Sequence, residues 1–439
     1  MKSFSIRSCS GGLKGTVALL GDKSIAHRAL IISAITPART TIDNFPANED
    51  CISTLNAFIK LGIAIRHNSS GRVTVFGKGL LGLREPKHAI FAGESGTTLR
   101  LLLGVLAGQN FTAKLTAAKS LSLRPIMRVN LPLRMMGARL TSGQRTADSG
   151  HREEYPPLTI TGGNVRAITY KMPVASAQVK SAILLAALYA PGTTQVIEPV
   201  KTRDHTERML ALFGADIKRA TNKVVIKGGK ELVSPGRIYI PADISSASFF
   251  IVAASIIPGS RIVIRNVSLN PTRTGVLSVL KRMGADINVS DVGRDIYEPM
   301  GDIVVRSSKL KGTVIRRKEI PSLIDELPIL MVAACFALGK TIFEGAGELR
   351  VKETDRIKSM TENLAKMGAQ IKIIKSENII IGGTGSLAGG KVSSFGDHRT
   401  AMSMVIAGLL ASGATSVDDI TCIKKSFPQF LTVLQQLFI

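Results

Sequence analysis

One feature limits what this chain can fold into more than any other: it repeats. Apolar residues at three- and four-residue spacing run into a glycine at residues 55–62, 131–138, 209–215, 279–285 and 363–369, and β-prone sequence follows several of these turns. The glycines, Gly62, Gly137, Gly214, Gly284 and Gly368, are spaced 75, 77, 70 and 84 residues apart. A period of that length means one supersecondary unit copied along the chain. Glycine suits the left-handed cap that ends such a helix. Residues 430–439 read as a truncated sixth copy.

Each copy also has a polar opening ahead of a more apolar helix. These are Gly21-Asp22-Lys23-Ser24, Gly93-Glu94-Ser95-Gly96-Thr97-Thr98, Ala175-Ser176-Ala177-Gln178, Ile244-Ser245-Ser246-Ala247-Ser248, Leu323-Ile324-Asp325-Glu326 and Gly396-Asp397-His398-Arg399. Helix starts carry unpaired N–H groups and the positive end of the dipole, so a set facing one place would hold anions. Strands are expected at residues 237–240, 261–264, 302–305 and 378–381. The chain alternates α and β, and 439 residues suit two domains of three units each. The turn-rich segment at 234–241 is the expected boundary.

A net charge of +25 admits a nucleic-acid binder, a membrane-surface protein or an enzyme of anionic metabolites. The basic residues are scattered, with no run longer than pieces such as Arg316-Arg317-Lys318, and only 5% of residues are aromatic, none of them Trp. That leaves little for stacking on single-stranded bases and favours the metabolic reading, with no nucleic-acid or membrane partner. Cys9, Cys51, Cys335 and Cys422 lack metal-ligand spacing, so no metal site and no disulfide framework is expected. The first twenty residues hold no apolar core of signal-peptide length, and the apolar stretches at 182–190 and 249–258 are too short to span a bilayer. A cytoplasmic, monomeric protein is the expectation.

The chemistry-bearing residues divide along the chain. Lys23, Ser24 and Arg28 cluster at the first helix start, where Asp22 or Ser24 would serve as cap. Thr97, Thr98 and Arg100 follow at the second, and Lys119, Ser122 and Arg124 in the loop beyond it. Ser176, Gln178, Lys180 and the run Arg203-Asp204-His205-Thr206-Glu207 add hydrogen-bond donors and cations. The second half brings carboxylates among arginines: Asp325, Glu326, Glu353, Arg356, Asp397 and Arg399. Taken singly, each is also what a capped or solvated helix start would carry. Together they describe a cleft between two halves that binds two anions and moves protons.

At these residues the chain resembles the enolpyruvyl transferases over essentially its whole length. The specific pieces are Gly21-Asp22-Lys23-Ser24, Ser176-Ala177-Gln178-Val179-Lys180, Arg203-Asp204-His205-Thr206-Glu207 and Asn270-Pro271-Thr272-Arg273, which look like the signature of the glyphosate-tolerant, class II branch. Residues 350–356 and Asp397-His398-Arg399 are also family-like. The resemblance implies an inside-out α/β barrel architecture: two similar domains, each of three βαβαββ units, with the active site in the interdomain cleft. It assigns residues 21–240 to one domain and residues 1–20 with 241–439 to the other, because the N-terminal strand crosses to the C-terminal half. It further implies transfer of the enolpyruvyl group of phosphoenolpyruvate to the 5-hydroxyl of shikimate 3-phosphate without a cofactor, through a tetrahedral intermediate; closure on the ligands is expected because two highly charged ligands must be taken out of water together.

By the same resemblance, Lys23, Ser24, Arg28, Ser176, Ala177, Gln178, Arg203, Asp325 and Lys352 match positions that bind shikimate 3-phosphate. Lys23, Gly96, Arg124, Gln178, Glu353, Arg356, Arg399 and Lys425 match those that bind phosphoenolpyruvate. Asp325, Glu353 and Lys23 are the implied catalytic groups, with Asp325 as base. Glu94 departs from the usual Asn of the family. The sister branch that acts on UDP-N-acetylglucosamine usually has Lys-Asn at the first helix start and a reactive cysteine before the Arg-Pro pair. Here Lys23-Ser24 stands at that start, and residues 118–124 hold no cysteine. A basic protein that binds RNA ends is the alternative from a different class, separable by steep salt dependence.

Overall fold

The computed structural model describes residues 3–9, 11–68, 71–146, 153–291 and 297–438. They form two compact units, Gly21–Ile240, and the residues up to Leu20 together with those from Pro241 onward. Gly21–Ile240 contains three four-stranded sheets of one design. In the third, Thr169–Lys171 runs parallel to Thr193–Ile197, which pairs antiparallel with Lys223–Lys227, and Asp216–Arg219 takes the edge. A parallel pair needs a crossover, supplied by helix Ala177–Ala187, whereas the antiparallel strands follow as a hairpin. The sheet of Ile90–Phe91, Thr112–Thr116, Glu153–Thr161 and Arg139–Thr146 repeats this order around helix Gly96–Leu106. The first sheet takes its opening strand, Arg237–Tyr239, from the far end of the unit, parallel to Arg39–Asp43.

The other unit repeats the design with two substitutions. Lys14–Val17, far ahead in sequence, is the parallel partner of Arg261–Ser268. The last sheet has three strands, and Phe4–Ile6 pairs antiparallel with Thr415–Val417 in the place that a late strand of the same copy holds in the other sheets. The expected truncation is therefore made good by the beginning of the chain. Helix Phe430–Gln435 completes the copy, and Phe430 packs on Phe249 and Phe250 with ring centroids 5.8 Å apart.

The two kinds of helix in each copy differ because their surroundings differ. Opening helices lie in the core. Helix Lys23–Ala34 buries every residue from Ile25 to Ala34, and helix Ala177–Ala187 every residue from Val179 on. Each large aliphatic side chain so buried stabilises by about 1.5–3 kcal/mol. Helices Gly96–Leu106 and Ala177–Ala187 come close at Gly104, where a Cβ would lie 2.4 Å from the carbonyl oxygen of Ala182. The second helices, such as Glu49–Lys60, bury one face only. All five repeat glycines take positive φ, from +76° at Gly214 to +110° at Gly137. At each, the next N–H reaches back to a carbonyl five residues earlier, as in Ile63 to Phe58 and Ala369 to Leu364. No helix among the described residues is long and apolar enough to cross a membrane, and the four cysteines are free thiols.

Candidate functional site

In the unit Gly21–Ile240, three helix starts carry the expected anion-binding groups. Asp22 caps helix Lys23–Ala34 by accepting from the Ile25 N–H at 3.0 Å, which leaves Ser24 to other work. Lys23 donates to Asp50 at 2.8 Å. Arg28 is buried; its Nε donates to Thr206 Oγ1 (2.6 Å), Nη1 to the Ser24 carbonyl (2.8 Å) and Nη2 to Ser181 Oγ (2.8 Å). The guanidinium thus links three helices as well as standing beside Ser24.

Ser95 caps the second helix, and Ser176 the third. Gln178 joins these two starts: its Oε1 accepts from Arg100 Nη1 (3.1 Å) and its Nε2 donates to Thr97 Oγ1 (3.0 Å). Gly96 gives room for this, since a Cβ there would lie 2.5 Å from Arg100 Nη1 and 3.3 Å from Arg124 Nη1. Arg124 follows the short helix Lys119–Ser122, whose Ser120 donates to Glu94. Ala177 is the first residue of its helix, and Arg203 is half-buried in the loop before helix His205–Leu212.

The other unit gathers the acids around one buried cation. Arg356, the first residue of helix Arg356–Lys366, is about 1% exposed. Its Nε and Nη2 each lie 3.0 Å from Asp397 Oδ2, its Nη1 lies 3.4 Å from Asp325 Oδ1, and Nη2 also donates to Glu353. Arg399 Nη1 donates to the Asp325 carbonyl at 2.9 Å, with its Nη2 3.6 Å from Asp325 Oδ2. Asp325 is therefore held between two guanidinium groups. Burial acts to lower the Arg356 pKa, but Asp397, then Glu353 and Asp325, raise it above the ordinary arginine value. Burial pushes Asp397 up, yet Arg356, His398 and the Thr400 N–H hold its carboxyl below the usual range. Asp397 caps its helix through the N–H groups of Arg399 and Thr400, so its role is structural.

Asp325 and Glu353 differ from Asp397 in reach. Their side chains are 18% and 30% exposed, so both can meet a ligand while anchored to a cation. Helix Leu327–Cys335 starts two residues after Asp325, and Glu326 sits at its N-cap without a side-chain cap bond. Lys352 lies in the loop between helices Gly347–Val351 and Arg356–Lys366, and Lys425 ends helix Thr421–Lys425; both are half-buried. At the opening that holds Ser245-Ser246, neither serine caps the helix. Asp243 is the cap, and the Ser245 hydroxyl accepts from Arg273 at 2.6 Å and donates to Glu326. The arginine of Asn270-Pro271-Thr272-Arg273 is thus a buried tie to the helix start beside Asp325.

Several contributors were not singled out in the sequence. Asp50 was visible only as one of two acids in the first turn of helix Glu49–Lys60. His27 and Thr54, neither singled out, form a buried chain with Thr98, which was: His27 Nδ1 to Thr54 Oγ1 and Thr54 to Thr98, each 2.6 Å. Burial, then Lys23 and Arg28, hold the His27 pKa well below that of a free imidazole. Nothing in spacing marks such a chain, because its members come from three helices. Among the described residues no group of three His, Cys, Asp or Glu side chains is disposed to hold a metal ion.

Comparison with known proteins agrees over the full length. The sequence model of the family described as EPSP synthase (3-phosphoshikimate 1-carboxyvinyltransferase) matches residues 9–434. The chain is 46% identical over 426 residues to the 3-phosphoshikimate 1-carboxyvinyltransferase of Bacillus cytotoxicus, covering 97% of this chain and 98% of that protein. It is 47% identical over 432 residues to the enzyme of the same name from Shouchella clausii, covering 98% of each. A solved structure of EPSP synthase from Acinetobacter baumannii aligns with a TM-score of 0.87 at 43% identity, over 100% of this chain and 98% of that one.

Proposed function

The chain belongs to the EPSP synthase (3-phosphoshikimate 1-carboxyvinyltransferase) family, and from that premise we propose that Asp325, Glu353 and Lys23 carry the proton transfers of its reaction. The activity is transfer of the enolpyruvyl group of phosphoenolpyruvate to the 5-hydroxyl of shikimate 3-phosphate, with release of phosphate, in the shikimate pathway of aromatic amino acid biosynthesis. In the addition step Asp325 takes the hydroxyl proton as the oxygen bonds to the enol carbon, and the methylene receives a proton and becomes a methyl group. In the elimination step the methyl group gives up a proton, the double bond re-forms and the carbon–oxygen bond to phosphate breaks. Glu353 and the Lys23 ammonium serve the proton at the methylene and the departing phosphate.

Binding follows charge. Lys23, Ser24, Arg28, Ser176, Ala177, Gln178, Arg203, Asp325 and Lys352 hold shikimate 3-phosphate in this reading, and Lys23, Gly96, Arg124, Gln178, Glu353, Arg356, Arg399 and Lys425 hold phosphoenolpyruvate. The observation that carries the assignment is the Arg356 cluster: a buried cation holds two part-exposed carboxylates, Asp325 on Nη1 and Glu353 on Nη2. Fixed charges of this kind stabilise charge that develops in a transition state without reorganising. The test is phosphate release on mixing the protein with both substrates, against controls with either one alone. Release that needs both supports the reading, and no release across a range of salt and pH refutes it.

A further inference from the structure

We infer that Lys180, Glu198 and Thr202 are positioning residues that aim the Arg203 loop at shikimate 3-phosphate, with Glu207 locking the neighbouring helix to the same lysine. This rests on the substrate assignment above. Lys180 lies one turn into helix Ala177–Ala187, its N–H bonded to the Ser176 carbonyl at 3.1 Å. Its Nζ reaches Glu198 Oε2 at 2.9 Å and Glu207 Oε1 at 2.7 Å. All three side chains are at most 3% exposed. Glu198 closes the loop that follows strand Thr193–Ile197: its Oε1 accepts from both the N–H of Thr202, at 3.1 Å, and the Thr202 hydroxyl. Arg203 is the next residue.

A second pairing runs beside the first. Ser181 and Thr206, each one residue away from Lys180 and Glu207, bond to one another at 2.7 Å, and both accept from Arg28. Two successive residues of one helix therefore clasp two successive residues of another. Arg28, Lys180, Glu198 and Glu207 together are neutral. Burying an ammonium between two carboxylates is costly compared with an apolar trio of similar volume, so bulk stability does not explain the arrangement. The cost is visible at Glu207, where burial raises the pKa against the pull of Lys180. What the network supplies is geometry: Ser176, Gln178, Arg28 and Arg203 come from three segments that it joins. A guanidinium held in place before the ligand arrives loses less freedom on binding.

The arrangement also accounts for why Lys180 and Glu207 sit in separate sequence motifs, Ser176-Ala177-Gln178-Val179-Lys180 and Arg203-Asp204-His205-Thr206-Glu207. They are two ends of one contact.

The test uses the full-length enzyme with Thr202→Val, Thr202→Ser and Glu198→Gln. Thr202→Val replaces a hydroxyl with a methyl of like size and removes one bond to a buried carboxylate. Steady-state KM is measured for each substrate, with thermal melting of every variant. The expected result is a rise in KM for shikimate 3-phosphate of roughly ten-fold in Glu198→Gln and several-fold in Thr202→Val, with KM for phosphoenolpyruvate within about two-fold of wild type. Thr202→Ser should restore the wild-type value. A role in stability alone would lower melting temperature without separating the two KM values. Unchanged KM for shikimate 3-phosphate in folded Thr202→Val, or equal rises for both substrates, overturns the inference; that variant decides alone if Glu198→Gln does not fold. Wild-type turnover measured in parallel separates this result from failure of the proposed function, which would abolish turnover in every protein.

Discussion

Replacing Arg356 by methionine should be among the most damaging single changes in its unit, and the structure sets the size. The substitution keeps an apolar stem and removes a cation that faces three carboxylates. Asp397, fully buried, loses both guanidinium contacts at 3.0 Å and keeps the hydrogen bonds from the N–H groups of Arg399 and Thr400. Breaking a buried pair by removing one partner costs about 3–5 kcal/mol. A ceiling of similar size comes from protonation: a carboxyl with an ordinary pKa of about 3.9 can be neutralised at pH 7 for about 4 kcal/mol. Asp325 and Glu353 retain access to water, so each adds at most about 1 kcal/mol. The total is about 3–7 kcal/mol, and for a unit of roughly 200 residues, where about 2–4 °C accompanies each kcal/mol, it corresponds to roughly 6–28 °C in Tm. Scanning calorimetry reads this directly, and if the two units melt separately only the transition of the unit holding Arg356 should move. The pH dependence gives an internal check. Wild-type Asp397 has a lowered pKa, so its contribution is present above about pH 4 and is lost as pH falls through the still lower folded value. The deficit of the variant should therefore shrink on acidification. A loss under about 1 kcal/mol, or a deficit that does not change with pH, would refute the reasoning.

Three other outcomes follow from the same structure. Gly104→Ala places a Cβ 2.4 Å from a backbone oxygen of the facing helix, so overpacking of about 1–3 kcal/mol should exceed the gain in helix propensity, and Tm should fall; an unchanged or higher Tm contradicts the close approach. Gly96→Ala meets only the ends of the Arg100 and Arg124 side chains, so the fold should be kept while KM for phosphoenolpyruvate rises; equal KM values would separate Arg124 from that substrate. His27 stays neutral in the fold, whereas the unfolded chain takes up a proton there below about pH 6.5. Stability should thus fall with decreasing pH by up to about 1.4 kcal/mol per pH unit from this group, and His27→Gln should flatten that slope in denaturant titrations; identical slopes would argue against a neutral His27.

Much of the fold was legible because the repeat writes it in residues with one physical meaning. Gly62, Gly137, Gly214, Gly284 and Gly368 all adopt the positive φ that ends a helix, and the apolar runs before them become buried faces. The strands expected at 261–264 and 302–305 lie within Arg261–Ser268 and Met300–Arg306. Strand pairing across long distances left no local trace. That Lys14–Val17 pairs with Arg261–Ser268, or Phe4–Ile6 with Thr415–Val417, depends on which edges remain open after folding. The candidate site divides the same way. Residues at helix starts announce themselves by position, but the ties behind them do not. Lys180 with Glu207 and Arg273 with Glu326 are separated by 27 and 53 residues, and each alone reads as an ordinary surface charge. Helix Ile244–Ile256 is capped by Asp243, two residues ahead of Ser245, from whose N–H its carboxylate accepts, although the serines are the more visible polar residues of that opening.

The central claim is that Asp325, held between Arg356 and Arg399, takes the proton of the attacking hydroxyl. The most direct measurement is single-turnover phosphate release by Asp325→Asn with both substrates saturating, alongside shikimate 3-phosphate binding to the same variant. General-base catalysis predicts a fall in rate of about 10²–10⁴-fold with a modest change in binding. A rate within a few-fold of wild type would contradict it.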